Sequence, residues 1–167
     1  HRIGREIKRK DQVFMQSLRH LILKIVYTIR KNILDKVDKS RKDWYKLLKE
    51  NNIDYYKLKE YLKSDKFINE VGEVIDDNNK TYFLDESPIH GKGIFASYDI
   101  SKGLVIGIGY FNNNRTILGR YINHSPFNNA KFYYKDQDVI LLAEKDIVKG
   151  EEILVNYREH LLNKSFI

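Results

Sequence analysis

Asn123-His124-Ser125-Pro126 closes the run Gly119-Arg120-Tyr121-Ile122. Pro126 biases Ser125 away from the helical region, so the preceding element stops there. Asn and His side chains can both donate and accept hydrogen bonds. Where a strand or helix end meets a turn, they suit holding a ligand as well as forming an ordinary surface turn. Two other stretches bear on that choice. In Gly91-Lys92-Gly93 two glycines bracket a lysine, so the backbone can approach a ligand without Cβ interference. The same pattern also makes a plain hairpin turn. Lys149-Gly150-Glu151-Glu152-Ile153-Leu154-Val155-Asn156-Tyr157 reads as a turn entering a strand that ends in Asn-Tyr.

The elements that must position these residues fall into two textures. Residues 5–37 read as a long helix, because Phe14, Leu18, Leu21, Ile22, Ile25, Ile29, Ile33 and Val37 recur at steps of three and four. Such a stripe is expected to bury against the rest of the chain or a twin copy. Ser40-Arg41-Lys42-Asp43 resembles an N-cap signature and predicts a second helix, with Trp44, Leu47 and Leu48 as its apolar edge and Asn51-Asn52 as its end. A third helix is expected near Asp54 with Tyr55, Leu58, Tyr61 and Leu62. A fourth, capped by Ser64 or Asp65, carries Phe67, Ile68 and Val71 as far as Gly72. After Asp76-Asp77-Asn78-Asn79 helical periodicity stops. Short β-like runs follow at 81–84, 93–97, 104–110, 130–134, 138–144 and 153–156. The expected architecture is α+β, with a basic helical region over 1–78, a compact β domain over 79–158 and a tail over 159–167.

Composition bounds the chemistry. The chain has 167 residues and no cysteine, which excludes disulfides and thiolate zinc sites. Its five histidines lack ligand spacing, so no metal is expected. No run of 18 apolar residues exists and no signal-peptide pattern opens the chain, which predicts a soluble intracellular protein without membrane contact. The net charge of +7 belongs entirely to residues 1–80, with 20 Lys/Arg against 13 Asp/Glu. Residues 81–167 balance at 10 against 10. The basic helices could serve as a solvated face, bind nucleic acid or another anionic partner, or pair with a second copy.

Taken together and in order, the motifs resemble the SET domain family of protein lysine methyltransferases. The resemblance covers about residues 80–158. It runs from Gly91-Lys92-Gly93-Ile94-Phe95-Ala96 through Asp99-Ile100-Ser101-Lys102-Gly103, Arg120-Tyr121-Ile122-Asn123-His124-Ser125 and Asn128-Asn129-Ala130. It continues through Ala143-Glu144-Lys145-Asp146-Ile147 to Gly150-Glu151-Glu152-Ile153 and Asn156-Tyr157. It implies a β-clip of several small sheets with a pseudoknot core, in which the Asn-His-Ser stretch threads past the final segment. It also implies S-adenosylmethionine as cofactor, no metal, and a lysine-containing protein as substrate. By position, Gly91, Lys92, Gly93 and Ile94 would offer backbone groups to the cofactor. Asn123 would bond its methionine end and His124 mainly the adenine, while Tyr157 would be the catalytic tyrosine. Tyr110 and Tyr121 are candidates for the substrate channel.

The match departs from the family in two places. Only Leu104 to Gly119 stand where members usually carry a longer substrate-shaping insert, and the cysteine-rich flanks found in many members are missing. Something else must then close the lysine channel. The tail, with Phe166 as an apolar lid, is one candidate, and the helices of residues 5–72 are another. Two rival readings stay open: a SET-like binding module without catalysis, and a nucleic-acid-binding protein acting through residues 1–78.

Overall fold

A computed structural model describes residues 2–64, 74–112 and 114–162. The predicted fourth helix and Phe166 lie outside the described residues. The chain divides into two compact units, His1–Val37 and Asp38–Ile167.

Helix α1 (Arg2–Glu50) runs without interruption through the break predicted at Ser40. No glycine or proline lies between Arg5 and Glu50, so nothing in the backbone forces a stop. The Ser40 and Asp43 side chains, read as caps, instead find partners among residues 124–158 of the same unit. Ser40 is buried with its Oγ 2.8 Å from Ser125 Oγ, and Asp43 bonds His124 and Arg158. The helix ends where the Asn pair predicts. Asn52 takes the left-handed conformation (φ 55°), its N–H donates to Lys49 C=O at 3.1 Å, and Ile53 N–H donates to Leu48 C=O at 2.8 Å. That is a Schellman arrangement with asparagine in the usual glycine place. Within the first unit the predicted stripe is not buried: Phe14, Leu21, Ile22, Ile25, Ile29 and Ile33 are all exposed. No helix among the described residues is long and apolar enough to cross a membrane.

In the second unit α2 (Tyr55–Tyr61) begins as predicted at Asp54, whose carboxylate accepts from Lys57 N–H at 2.9 Å. Among the described residues nine strands follow: β1 (Val74–Ile75), β2 (Tyr82–Glu86), β3 (Lys92–Ala96), β4 (Val105–Phe111), β5 (Asn114–Thr116), β6 (Asn123–His124), β7 (Ala130–Lys135), β8 (Asp138–Ala143) and β9 (Glu152–Val155). The six predicted β runs correspond to β2, β3, β4, β7, β8 and β9. Strands β1, β5 and β6 are too short to carry a periodic signal. A five-stranded sheet has the order β1-β5-β4-β8-β7, and a four-stranded sheet the order β2-β3-β9-β6. Alternate residues of β9, Ile153 and Val155, point into a core shared with Ile94, Ile106, Leu118, Leu141 and Ile147.

Two short helices flank the strands that matter most. Helix α3 (Ile117–Tyr121) is capped by Thr116, whose hydroxyl accepts from Gly119 N–H at 3.2 Å. Its Gly119 lies against the Gly109 backbone of β4 so closely that an added Cβ would overlap the Gly109 carbonyl. Helix α4 (Tyr157–Leu162) follows Asn156, whose side chain accepts from Arg158 N–H at 3.1 Å.

Strand β6 runs parallel to β9, with Asn123 opposite Leu154 and His124 opposite Val155. Beyond it, Ser125 N–H donates to Val155 C=O at 3.0 Å. The buried Asn129 side chain donates to Glu152 C=O at 2.9 Å and accepts from Leu154 N–H at 2.8 Å. Residues 123–129 are thus fastened along β9, which brings the Asn-His-Ser stretch beside Tyr157.

Gly119→Ala is expected to destabilise the fold by about 3 kcal/mol, since rigid backbone rather than a mobile side chain opposes the new methyl. Urea unfolding followed by circular dichroism measures this. An unchanged midpoint would contradict the close packing of α3 on β4.

Candidate functional site

The three motifs meet around one partly buried tyrosine. Tyr157 opens α4, and its hydroxyl donates to Ile122 C=O at 2.5 Å. Its backbone N–H donates to His124 Nδ1 at 3.0 Å. Burial pushes the phenol up to about 12, against the opposing pull of Arg115 and Arg120. At neutral pH the hydroxyl is therefore a hydrogen-bond donor and not a phenolate.

His124 is almost fully buried, and both ring nitrogens are engaged. Because Nδ1 accepts from Tyr157 N–H, the neutral imidazole carries its proton on Nε2, which lies 2.8 Å from Asp43 Oδ2. Burial lowers the His124 pKa below the ordinary value despite the Asp43 carboxylate beside it. Burial tends to raise the Asp43 carboxyl, but its bonds to Arg158 and His124 outweigh this and hold it low. Arg158 also donates to Glu50 from Nε at 3.1 Å and from Nη2 at 3.0 Å.

Asn123 spans the gap to the glycine turn. Its Nδ2 lies 3.1 Å from His90 C=O, 3.1 Å from Lys92 C=O and 3.0 Å from Glu152 Oε1. Gly91 turns with φ 51°, a conformation glycine adopts freely. Glu152 Oε1 also accepts from Ser87 Oγ at 2.8 Å, and burial raises the Glu152 pKa. Gly93 leaves the space this carboxylate fills, since a Cβ there would overlap Glu152 Oε1.

Among the described residues two cavities border Tyr157. The first, about 290 Å³, is lined by Gly91, Lys92, Tyr121, Asn123 and His124, together with Tyr55, Lys59, Lys63 and His90. The second, about 650 Å³, is lined by Tyr110, Arg115, Phe132 and Val139, among others. Trp44, Leu58, Leu62, Arg120, Ile122 and Tyr157 border both.

Of the residues singled out from sequence, Gly91, Lys92, Tyr121, Asn123, His124 and Tyr157 share the first cavity. Tyr110 joins Tyr157 at the second. Gly93 and Ile94 line neither. Gly93 is packed against Glu152, and Ile94 is wholly buried between Leu84 of β2 and Ile153 of β9. Phe166 is outside the described residues. Sequence reasoning missed Asp43, Arg158 and Glu152 as positioning groups, and it read Trp44 only as a helix edge. The only signal for Trp44 was its being the single tryptophan.

The sequence model of the SET domain family matches residues 4–158. No curated protein sequence matches the chain. Among solved structures, the chain is similar to a Plasmodium falciparum protein described as a candidate histone methyltransferase. That match has 23% identity and a TM-score of 0.39, covering 47% of this chain and 93% of that one. It is also similar to the methyltransferase domain of human PR domain-containing protein 2, with 18% identity and a TM-score of 0.37, covering 46% of this chain and 76% of that one. A humanized Chaetomium thermophilum Polycomb Repressive Complex 2 gives 25% identity and a TM-score of 0.39, covering 47% of this chain and 15% of that one.

The His124 environment sets a pH dependence of stability. Because its folded pKa lies below its unfolded one, the unfolded chain takes up protons first as pH falls below about 6.5, and the fold loses stability from there down to the depressed value. His90 acts in the same direction through burial and Lys59. Glu152, with its raised pKa, acts in the opposite one. The melting temperature is expected to fall by a few degrees between pH 7.5 and 5.5, with a shallower fall in His124→Gln. Identical slopes for the two proteins would show that His124 is not held neutral by the fold.

Proposed function

Because the chain belongs to the SET domain family, we propose that it is an S-adenosylmethionine-dependent protein lysine N-methyltransferase. The observation that carries this reading is the pair of cavities meeting at Tyr157, with the glycine turn and Asn123 on one side and Tyr110 and Phe132 on the other. One cavity suits the methyl donor and the other a lysine side chain.

The residues of the first cavity fit such a donor. Trp44, Tyr55 and Tyr121 offer aromatic surface for a purine. The His90 and Lys92 carbonyls and the Asn123 Oδ1 offer acceptors for the ammonium of an amino-acid end. Lys59, Lys63, Lys92 and Arg120 suit a carboxylate, and no Asp or Glu lines this cavity among the described residues. When bound, S-adenosylmethionine supplies a methyl group activated by a sulfonium.

The chain's own task is to deliver an uncharged amine in line with that methyl. A free lysine has a pKa of about 10.4. The apolar wall of Leu58, Leu62, Ile122, Phe132 and Trp44, with Arg115 and Arg120 beside it, disfavours the ammonium form. The Ile122 carbonyl can accept a hydrogen bond from the amine and fix its lone-pair direction. Tyr157, protonated and anchored to that carbonyl, orients the reacting groups and does not act as a base. Trp44, Leu47 and Leu48 of α1, Leu58 of α2 and Leu62 at its end line the cavities. They exclude water from the amine.

The test is transfer of labelled methyl from S-adenosylmethionine to a panel of basic proteins. Tyr157→Phe is expected to cut transfer about a hundredfold or more while donor affinity is retained. Asn123→Ala is expected to weaken donor binding about tenfold. Donor binding by calorimetry with no label on any protein would leave a binding module in place of an enzyme.

A further inference from the structure

Helix α1 brings to this site a residue that no motif marks. Trp44 borders both cavities that meet at Tyr157, and also a third, of about 380 Å³, formed with Arg41, Ser87 and Gly91. Its ring stands edge-on to Tyr157 with centroids 5.7 Å apart, and is tilted against His90 at 6.3 Å and His124 at 6.5 Å. Its indole Nε1 is buried and has no hydrogen-bond partner among the described residues. An indole N–H can only donate. Burying it unpaired costs free energy, and buried polar groups in native folds are nearly always satisfied. The position is held from behind: one turn away Ser40 is tied to Ser125, and the adjacent Asp43 is tied to His124 and Arg158. The ring is thus presented to the cavities by the same helix segment that braces the Asn-His-Ser stretch.

Resting on the reading of the first cavity as a methyl-donor site, we propose that Trp44 is a donor-binding residue. Its N–H hydrogen-bonds an acceptor of the bound S-adenosyl compound, and its ring forms a wall of the site. The cofactor site is then completed by a helix that precedes the β domain in sequence.

Trp44 is the only tryptophan in the chain, so its emission reports on the site directly. The full chain is titrated with S-adenosylhomocysteine, the demethylated product, by calorimetry and by tryptophan fluorescence. The two curves are expected to coincide, with a changed emission at saturation. Trp44→Phe keeps an aromatic ring against Tyr157 but removes the donor. It is expected to bind about fivefold more weakly with its thermal melting unchanged. Calorimetric binding with flat emission, and equal affinity in Trp44→Phe, would overturn the assignment and leave the methyltransferase reading standing. Absence of any binding by the folded wild-type chain would overturn that reading and this inference with it. The emission titration uses the unmutated protein, so it decides the matter whether or not the substituted chain folds.

Discussion

An imidazole has two nitrogens, and the second unit depends on His124 using both while uncharged. Nδ1 accepts from the backbone of Tyr157, and Nε2 bonds the carboxylate of Asp43. Protonation would place a second hydrogen against the Tyr157 N–H and break that link, so the ring joins its neighbours only as the neutral tautomer. Through this one side chain three separated segments are registered against each other: the end of α1, the Asn-His-Ser stretch on β6, and the start of α4. Arg158 extends the join by donating to both Asp43 and Glu50.

Registration of these segments is what gives Tyr157 its chemical character. The tyrosine opens a helix capped by Asn156 and is turned so that its hydroxyl meets Ile122, the residue just before Asn123. Burial keeps the phenol protonated. A protonated hydroxyl on a carbonyl is held in one direction, whereas an exposed tyrosine at the same place would be free to turn. Aromatic contacts from Trp44 and His124 complete the enclosure.

The glycine turn is organised by a different constraint, which is space. Glu152 needs room for a buried carboxylate, and Gly93 provides it. That carboxylate then gathers Ser87 and Asn123, and Asn123 in turn reaches the carbonyls of His90 and Lys92. Gly93, anticipated as a point of backbone approach to a ligand, lines neither cavity that borders Tyr157. It lets β3 and β9 share a polar contact that holds the turn in place.

Much of this was legible from the sequence, because it depends on neighbours along the chain. The Lys149-Gly150 turn ahead of a short apolar run marked β9, Asp54 marked the start of α2, Asn51-Asn52 marked the end of α1, and the spacing of the motifs pointed to the family and to Asn123, His124 and Tyr157. The course of α1 past Ser40 was decided only by tertiary structure. Serine and aspartate serve a helix start and a distant hydrogen-bond partner equally well, and local sequence does not say which partner will win. Here Ser125, His124 and Arg158, more than 80 residues away, outcompete the cap. The same long-range choice turned Trp44 from an ordinary apolar edge into a wall of both cavities. Within the first unit the stripe of residues 14–33 is exposed, and periodicity reports only that a face is apolar, with no information about what will cover it.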